Sequence, residues 1–146
     1  MRFTHVVLVV AVVGLIAADE PKKDDSESLK GNWTAVSMKQ NKQSLPEDFV
    51  KTFKLSMDGK NYTNTAGQEV QEEGGYVIDA SKMPKTIDFD IKKGPDAGKK
   101  QLGLYKLEVD KLTIAVSPSD STERPKSLNA DDSNEVMVVV LERIKP

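Results

Sequence analysis

The chain has 146 residues, which suffices for one domain with a hydrophobic core but hardly for two. Charged residues make up 30% and hydrophobic residues 38% of the sequence, which is typical of a folded domain and not of a disordered one. The formal net charge is −2 and both signs are scattered along the chain, so we expect no nucleic-acid partner, since that would favour a clustered basic face.

Residues 1–18 differ from the rest in having an apolar run without charges. Arg2 gives a basic start, residues 6–18 are apolar, and Ala17-Ala18 ends the run. This pattern predicts a secretory signal peptide over residues 1–18, and hence an exported protein, periplasmic or secreted. The run is shorter than the roughly 20 residues of a membrane-spanning helix, so we expect no membrane span after signal removal. Ile16 fits the small-residue cleavage site poorly, which leaves an uncleaved signal anchor as the alternative.

Several kinds of chemistry are excluded by residue type. The only histidine, His5, would leave with the signal peptide, and the chain has no cysteine. The processed chain therefore lacks the residues of Ser–His–Asp and Cys–His catalysis, and of zinc and haem ligation. Asp88 with Asp90, and Asp131 with Asp132, offer carboxylate oxygens but fewer than calcium requires, and surface acids explain them better. We expect no enzyme activity, no cofactor and no metal.

The chain after residue 18 begins with a polar stretch, which predicts a flexible linker over residues 19–28. The domain, residues 29–146, then opens with a strand over residues 29–40 that contains Trp33. Ser44-Leu45-Pro46-Glu47-Asp48 predicts the start of a two-turn helix, because Pro46 suits a first turn and the acids suit its dipole.

Seven further segments show strand patterns. Asp58-Gly59 predicts a type I′ hairpin turn, and the Gly74-Gly75 pair predicts a bulge or bend inside a strand. Gly94 to Gly98 suits a hairpin loop. These seven predicted strands cover residues 53–58, 60–65, 69–79, 85–92, 100–107, 111–117 and 135–143.

The last strand and the segment before it are different in character. Residues 117–134 are rich in Ser, Pro and Asp, and such a long loop is either functional or mobile; mobility is the interpretation we favour. The strand after it, residues 136–141, is apolar on both faces. We therefore expect it to be buried on both sides, or covered on one side by another element.

Together these patterns predict an all-β fold, an antiparallel up-and-down barrel of about eight strands with one short helix after the first strand. Such an interior is either filled by side chains or holds one small ligand. Alternation of side chains suggests the residues that line it: Phe53, Leu55, Ile87, Phe89, Ile91, Leu102, Leu104, Leu112 and Ile114.

Gly31-Asn32-Trp33 resembles the first signature of the lipocalin and calycin barrels. In that family a basic residue near the end of the last strand lies over the tryptophan, and Arg143 matches that position. The resemblance implies that Gly31, Trp33 and Arg143 close the barrel.

The wider chain, from residue 29 to 145, is similar to a family of small, lipocalin-like domains of planctomycete bacteria. That family has no assigned activity that could be transferred to this chain. The matching stretches are Leu29 to Trp33, Leu45-Pro46-Glu47, Pro84 to Asp88, Gly94 to Lys99, Gly103-Leu104-Tyr105 and Glu123-Arg124-Pro125. This resemblance implies a barrel and an exported location.

Two functions fit these observations. The first is a non-catalytic binding module that holds a small apolar or amphipathic ligand in the barrel mouth. The second is an envelope or extracellular protein-interaction or structural domain, with a filled core and an envelope protein partner for its outer face or loops. The volume of the cavity distinguishes them, and the oligomeric state is left open.

Overall fold

The computed structural model describes residues 24–132 and 135–146. The predicted signal peptide and the first part of the predicted linker lie outside these residues. The helices of the described part are α1 (Asp25–Leu29) and α2 (Glu47–Thr52), with a 3-10 turn at Ala130–Asp132. Its strands are β1 (Gly31–Gln40), β2 (Gln43–Ser44), β3 (Phe53–Met57), β4 (Asn61–Ala66), β5 (Glu69–Asp79), β6 (Lys85–Lys93), β7 (Lys100–Leu107), β8 (Lys111–Val116) and β9 (Met137–Arg143).

Eight of these strands form a closed antiparallel barrel. From β3 to β9 each strand pairs with the next in sequence, β1 pairs with β3, and β9 pairs back with β1. The two-residue β2 continues the sheet from the end of β1. The predicted up-and-down barrel is therefore confirmed, and closure satisfies the backbone groups that an open sheet edge would expose.

The barrel has two different ends, which we call the base and the mouth. The base is the end at which β1 begins and β9 finishes, together with the turns at 58–60, 80–84 and 108–110. The mouth is the opposite end, with α2, the turn after β4 and the loop at 94–99. Every strand runs between these ends, so each strand contributes one part to the base and another to the mouth.

Helix α1 covers the base, so residues 25–28, the last four of the predicted linker over residues 19–28, are helical. The Asp24 side chain caps the helix by accepting a hydrogen bond of 3.1 Å from the Ser26 backbone N–H. Leu29 is fully buried in the core. The Asp25 carboxylate accepts hydrogen bonds from Lys85 Nζ at 2.7 Å and from the Tyr105 hydroxyl at 2.8 Å. The helix was not predicted, because these partners lie 60 and 80 residues further along the chain.

A β-bulge in β1 changes which side chains face inward. Regular alternation along β1 would place Trp33, Ala35 and Ser37 on one face. In the structure Val36 is the extra residue between two registers of the β1–β9 pairing, and it is 47% exposed. Trp33, Ala35 and then Met38 are buried in the core. The bulge shifts the inward phase by one residue, which no hydrophobic pattern on this strand reveals.

The tight turns also differ in part from expectation. A type I′ turn needs positive φ at both central residues, but at Asp58-Gly59-Lys60 only Gly59 has it, so that prediction is wrong. Asp58 Oδ1 instead accepts the backbone N–H groups of Lys60 and Asn61, at 2.9 and 2.7 Å. The pair with two positive φ angles is Asn41-Lys42, between β1 and β2.

The described residues of the segment between β8 and β9 pack on the outside of the barrel, although we expected a mobile loop there. Arg124 donates to both carboxylate oxygens of Asp88, at 2.5 and 3.2 Å, and to the Gly103 carbonyl at 2.8 Å. A second apolar cluster forms beneath the segment, made of Leu104, Ala115, Ala130, Val136 and Val138. We expected β9 to be buried on both sides or covered on one side by another element: Val139 and Leu141 belong to the barrel core, Val138 on the outer face lies in the second cluster, and Glu142 is exposed.

Candidate functional site

The tryptophan signature lies at the base. Trp33 is fully buried, and its Nε1–H donates to the Leu29 carbonyl at 3.0 Å. Trp33 pairs with Arg143 across the β1–β9 seam, and the guanidinium carbon lies 4.2 Å from the centre of the indole ring. This is the geometry of a cation–π contact.

Gly31 and Arg143 complete this closure. Gly31 has a φ of +127°, and a Cβ there would come within 3.3 Å of the Arg143 guanidinium. Arg143 also donates to the backbone carbonyls of Lys30, at 2.9 Å, and Ser28. The structure thus brings the three predicted closure residues together and joins α1, β1 and β9 through them.

Side chains fill the half of the barrel nearest the base. Apart from Trp33, the large residues buried almost completely include Leu29, Ile87, Tyr105, Leu112 and Leu141. This half offers structure and not a site, so Ile87 and Leu112 of the predicted lining are packed core residues. Ile91, at the mouth end of β6, is also fully buried, but it does not line the mouth cavity.

The mouth half contains a cavity of about 420 Å³, within the range of about 300–1,000 Å³ typical of ligand pockets. Of the predicted lining residues, Phe53, Leu55, Phe89 and Ile114 form its wall. Leu45, which precedes α2, and Phe49 of α2 lie at one side, where Phe49 is 43% exposed. The remaining lining residues are Met38, Gln40, Leu45, Tyr62, Asn64, Gln71, Glu72, Pro95, Asp96, Gln101, Val116, Ser119, Met137 and Val139.

Leu102 and Leu104 do not line the interior, which corrects their predicted role. They pair with Asp88 and Thr86 on the outer face of β6, whereas Gly103 pairs with the inward Ile87. Leu104 belongs to the apolar cluster under the β8–β9 segment. Both faces of β7 are covered, so its apolar residues alone do not show which face is inside.

Tyr62 and Glu72 form the main polar contact in the cavity wall. The Tyr62 hydroxyl donates to Glu72 Oε1 at 2.6 Å, and its ring meets Phe89 edge to face with centroids 4.9 Å apart. Burial, and secondly the hydrogen bond to Glu72, raise the pKa of Tyr62. Tyr62 is therefore a neutral donor at physiological pH.

The other polar side chains lie closer to the rim. Asp96 Oδ2 accepts from the Ser119 hydroxyl at 3.0 Å, and Asp96 Oδ1 lies 3.3 Å from Lys99 Nζ. Gln101 donates through Nε2 to the Ser117 carbonyl at 2.9 Å. The wall thus combines a mainly apolar surface with a few oriented polar groups, which is the arrangement of small-molecule sites.

Some lining residues that were not predicted could have been identified from strand position and pairing. Tyr62 is central in its strand, and the register Leu55–Asn64–Glu72 places these three on one inward row. Met38 could not be placed because of the bulge at Val36. Gln101 lies opposite the inward Phe89, so correct pairing of β6 with β7 would have identified it.

The acidic pairs considered for calcium lie elsewhere. Asp88 binds Arg124, and Asp90 lies 2.9 Å from Lys92. Asp132 accepts from Ser127. Within residues 24–132 and 135–146, no group of three or more His, Cys, Asp or Glu side chains could hold a metal ion.

A search among the described residues found no helix with the length and apolar character to cross a membrane. The chain was also compared with protein-family models, curated proteins and solved structures. None of the three comparisons gave a match.

Proposed function

We propose that this chain is an exported, non-catalytic binding module that holds one small, largely apolar or amphipathic ligand in the barrel mouth. The observation that carries the proposal is the cavity of about 420 Å³ at the mouth. The packed base supports the barrel, and the mouth contains the cavity that would hold the ligand. A rigid, closed sheet around a preformed cavity reduces the ordering cost of binding.

The apolar wall determines the chemistry of the ligand. Phe53, Leu55, Phe89 and Ile114 would contact its body, and burial of apolar area contributes about 25 cal/mol per Å² before the costs of association. Hydrogen-bonding groups such as Asn64 and Gln101 lie where a polar end would emerge.

Native mass spectrometry of protein purified from its own source tests the proposal. We expect a retained small molecule in the wild type. The variant Asn64→Trp should lose it, because the new ring occupies the cavity. The matched control is Thr63→Trp, the preceding position of β4, which pairs with the outward Ser56 and Glu73 and should retain the ligand. A wild type without a small molecule, or retention by Asn64→Trp, would contradict the proposal.

The second candidate is an envelope or extracellular protein-interaction domain. Exposed apolar side chains at the base favour it: Met83, in the β5–β6 loop, is 96% exposed, and Val109, in the β7–β8 turn, is 89% exposed. Crosslinking through surface lysines in cell envelopes would detect a protein partner. Loss of the crosslink in Met83→Ser/Val109→Ser, with ligand retention unchanged, would assign the interaction to the base.

A further inference from the structure

The charged side chains that line the mouth cavity are of one sign. Glu72 and Asp96 line it, and among the described residues no lysine or arginine does. A carboxylate or phosphate on a ligand would therefore meet like charge in the wall, whereas a cation would meet opposite charge. The net charge of −2 does not explain the acidic lining, because the chain also contains 21 lysines and arginines.

Glu72 is the carboxylate best placed to act on a ligand. Its Oε1 is held by the neutral Tyr62 hydroxyl and not by a basic side chain. That bond fixes the orientation of the carboxylate without neutralising its charge. Neighbouring Glu73, on the outer face of β5, lies 3.3 Å from Lys93 Nζ, so the two adjacent acids have different surroundings.

Asp96 contributes less. Lys99 lies beside it at the rim, with its Nζ 3.3 Å from Asp96 Oδ1. The charge of Lys99 offsets that of Asp96, and both side chains are well exposed to solvent. Glu72 is thus the remaining negative charge.

Aromatic side chains supply a second, independent feature. Phe49, Phe53, Tyr62 and Phe89 all line the cavity. The faces of aromatic rings carry negative partial charge and attract cations, and sites for quaternary ammonium groups combine such rings. Aromatic rings attract an organic cation while also contacting its apolar body.

We propose that the mouth cavity selects an amphipathic organic cation, an amine or quaternary ammonium compound with an apolar body, and that Glu72 is its counter-ion. The inference rests on the proposed function and adds the charge of the ligand to it. Fatty acids and other anionic amphiphiles are the class that the wall disfavours.

Isothermal titration of the full processed chain tests this with three probes of equal length, each used below its micelle concentration: decyltrimethylammonium, decanol and decanoate. We expect decyltrimethylammonium to bind at least about tenfold more tightly than decanoate, as expected for charge-assisted and cation–π contacts. Glu72→Gln should reduce this ratio at least about fivefold while decanol affinity stays unchanged. Glutamine still accepts the Tyr62 hydrogen bond, so folding is preserved. Glu73→Gln is the matched control and should leave the ratio as in the wild type.

The outcomes separate the two proposals. If the protein binds decanol, and binds decyltrimethylammonium and decanoate with equal affinity, the cation selectivity is overturned and the apolar cavity function stands. Absence of binding by all three probes would overturn both. A preference for the cation that persists in Glu72→Gln, or is lost equally in Glu73→Gln, would show that Glu72 is not the counter-ion.

Discussion

Trp33 links helix α1 to β1 and β9 at the base of the barrel. Its indole is buried between β1 and the end of β9, its N–H binds the carbonyl of Leu29 in α1, and its ring lies under Arg143. Removing the ring would leave a cavity at the base and would also release the arginine. The role is structural, because the mouth cavity has other walls.

We expect Trp33→Ala to lower the free energy of unfolding by about 3–5 kcal/mol, as other large core truncations do. Urea denaturation followed by circular dichroism measures this change. Trp33→Phe is the control, since it keeps an aromatic ring beneath Arg143 and loses the Nε1 hydrogen bond, and it should cost less. A small change in Trp33→Ala would contradict the closure role of Trp33.

The Gly74-Gly75 pair provides a second test at residue scale. A Cβ on Gly74 would overlap the backbone carbonyl oxygen of Asp90, where β5 and β6 shift register. We expect Gly74→Ala to destabilise the protein by about 3 kcal/mol or more, because backbone atoms cannot move aside as a side chain can. At Gly75 the atom nearest to an added Cβ is the Lys60 carbonyl oxygen at 3.5 Å, so the unfolding free energy of Gly75→Ala should stay within about 1 kcal/mol of the wild type. Thermal melts of the two variants measure the difference.

Among the elements, α1 is the one that depends most on distant contacts. A five-residue helix is too short to be stable alone. Leu29 is buried in the core, and the Asp25 carboxylate lies between Lys85 and Tyr105. These contacts fasten the helix across the base.

The Asp25 contacts predict a dependence of stability on pH. Burial raises the pKa of Asp25, but the hydrogen bonds from Lys85 and Tyr105 and the charge of Lys85 outweigh it, so the pKa lies below its ordinary value of 3.8. The stabilisation is therefore complete above about pH 4 and is lost as pH falls through the lowered pKa. Asp25→Asn should flatten the fall in melting temperature below pH 4, whereas Asp48→Asn on exposed α2 should not. An equally steep fall in Asp25→Asn would refute this contribution.

The segment between β8 and β9 is held on the barrel in part by the half-buried Arg124 side chain. Arg124 joins it to Asp88 on β6 and to the Gly103 carbonyl on β7. We expect Arg124→Ala to increase cleavage by a nonspecific protease between residues 118 and 132 several-fold, with a loss of about 1–3 kcal/mol in unfolding free energy. The exposed Lys126→Ala is the control and should behave as the wild type. Unchanged cleavage in Arg124→Ala would mean that the apolar contacts of the segment suffice to hold it.

At the scale of the whole molecule, the difference between base and mouth should appear in its dynamics. The base is filled, whereas α2 at the mouth has Val50 as its buried side chain. Elements with few buried contacts open locally at low free energy, while core strands exchange through global unfolding.

Amide hydrogen exchange followed by NMR measures this difference. We expect the amide of Val50, bonded to the Pro46 carbonyl at 3.1 Å, to exchange at least about a hundredfold faster than that of Leu141. The amide of Leu112, also in the base, serves as the internal reference. Equal protection at the two ends would contradict a mouth that opens more readily than the base.

The sequence was sufficient to predict the barrel and insufficient to predict much of its cavity. Clean alternation, as at Ile87 and Phe89, indicates a strand with one face in water, and about eight short strands joined mostly by short connections imply closure. The inward face could not be predicted for β7, because the β8–β9 segment covers its outer face at Leu104. The bulge at Val36 and the helix at Asp25–Leu29 depend on partners far along the chain, which local patterns do not contain.

Closure of the barrel by β1 and β9 also fixes where the polypeptide enters and leaves. Helix α1 leads into β1 at the base, and after β9 the Ile144 N–H donates to the Asn32 carbonyl at 2.8 Å, at the same end. A tag, surface tether or fusion domain added to either side of residues 24–146 would therefore extend from the base and leave the mouth unobstructed. The proximity of these two ends also suits circular permutation, with new termini at the turn around Gly67 on the opposite rim.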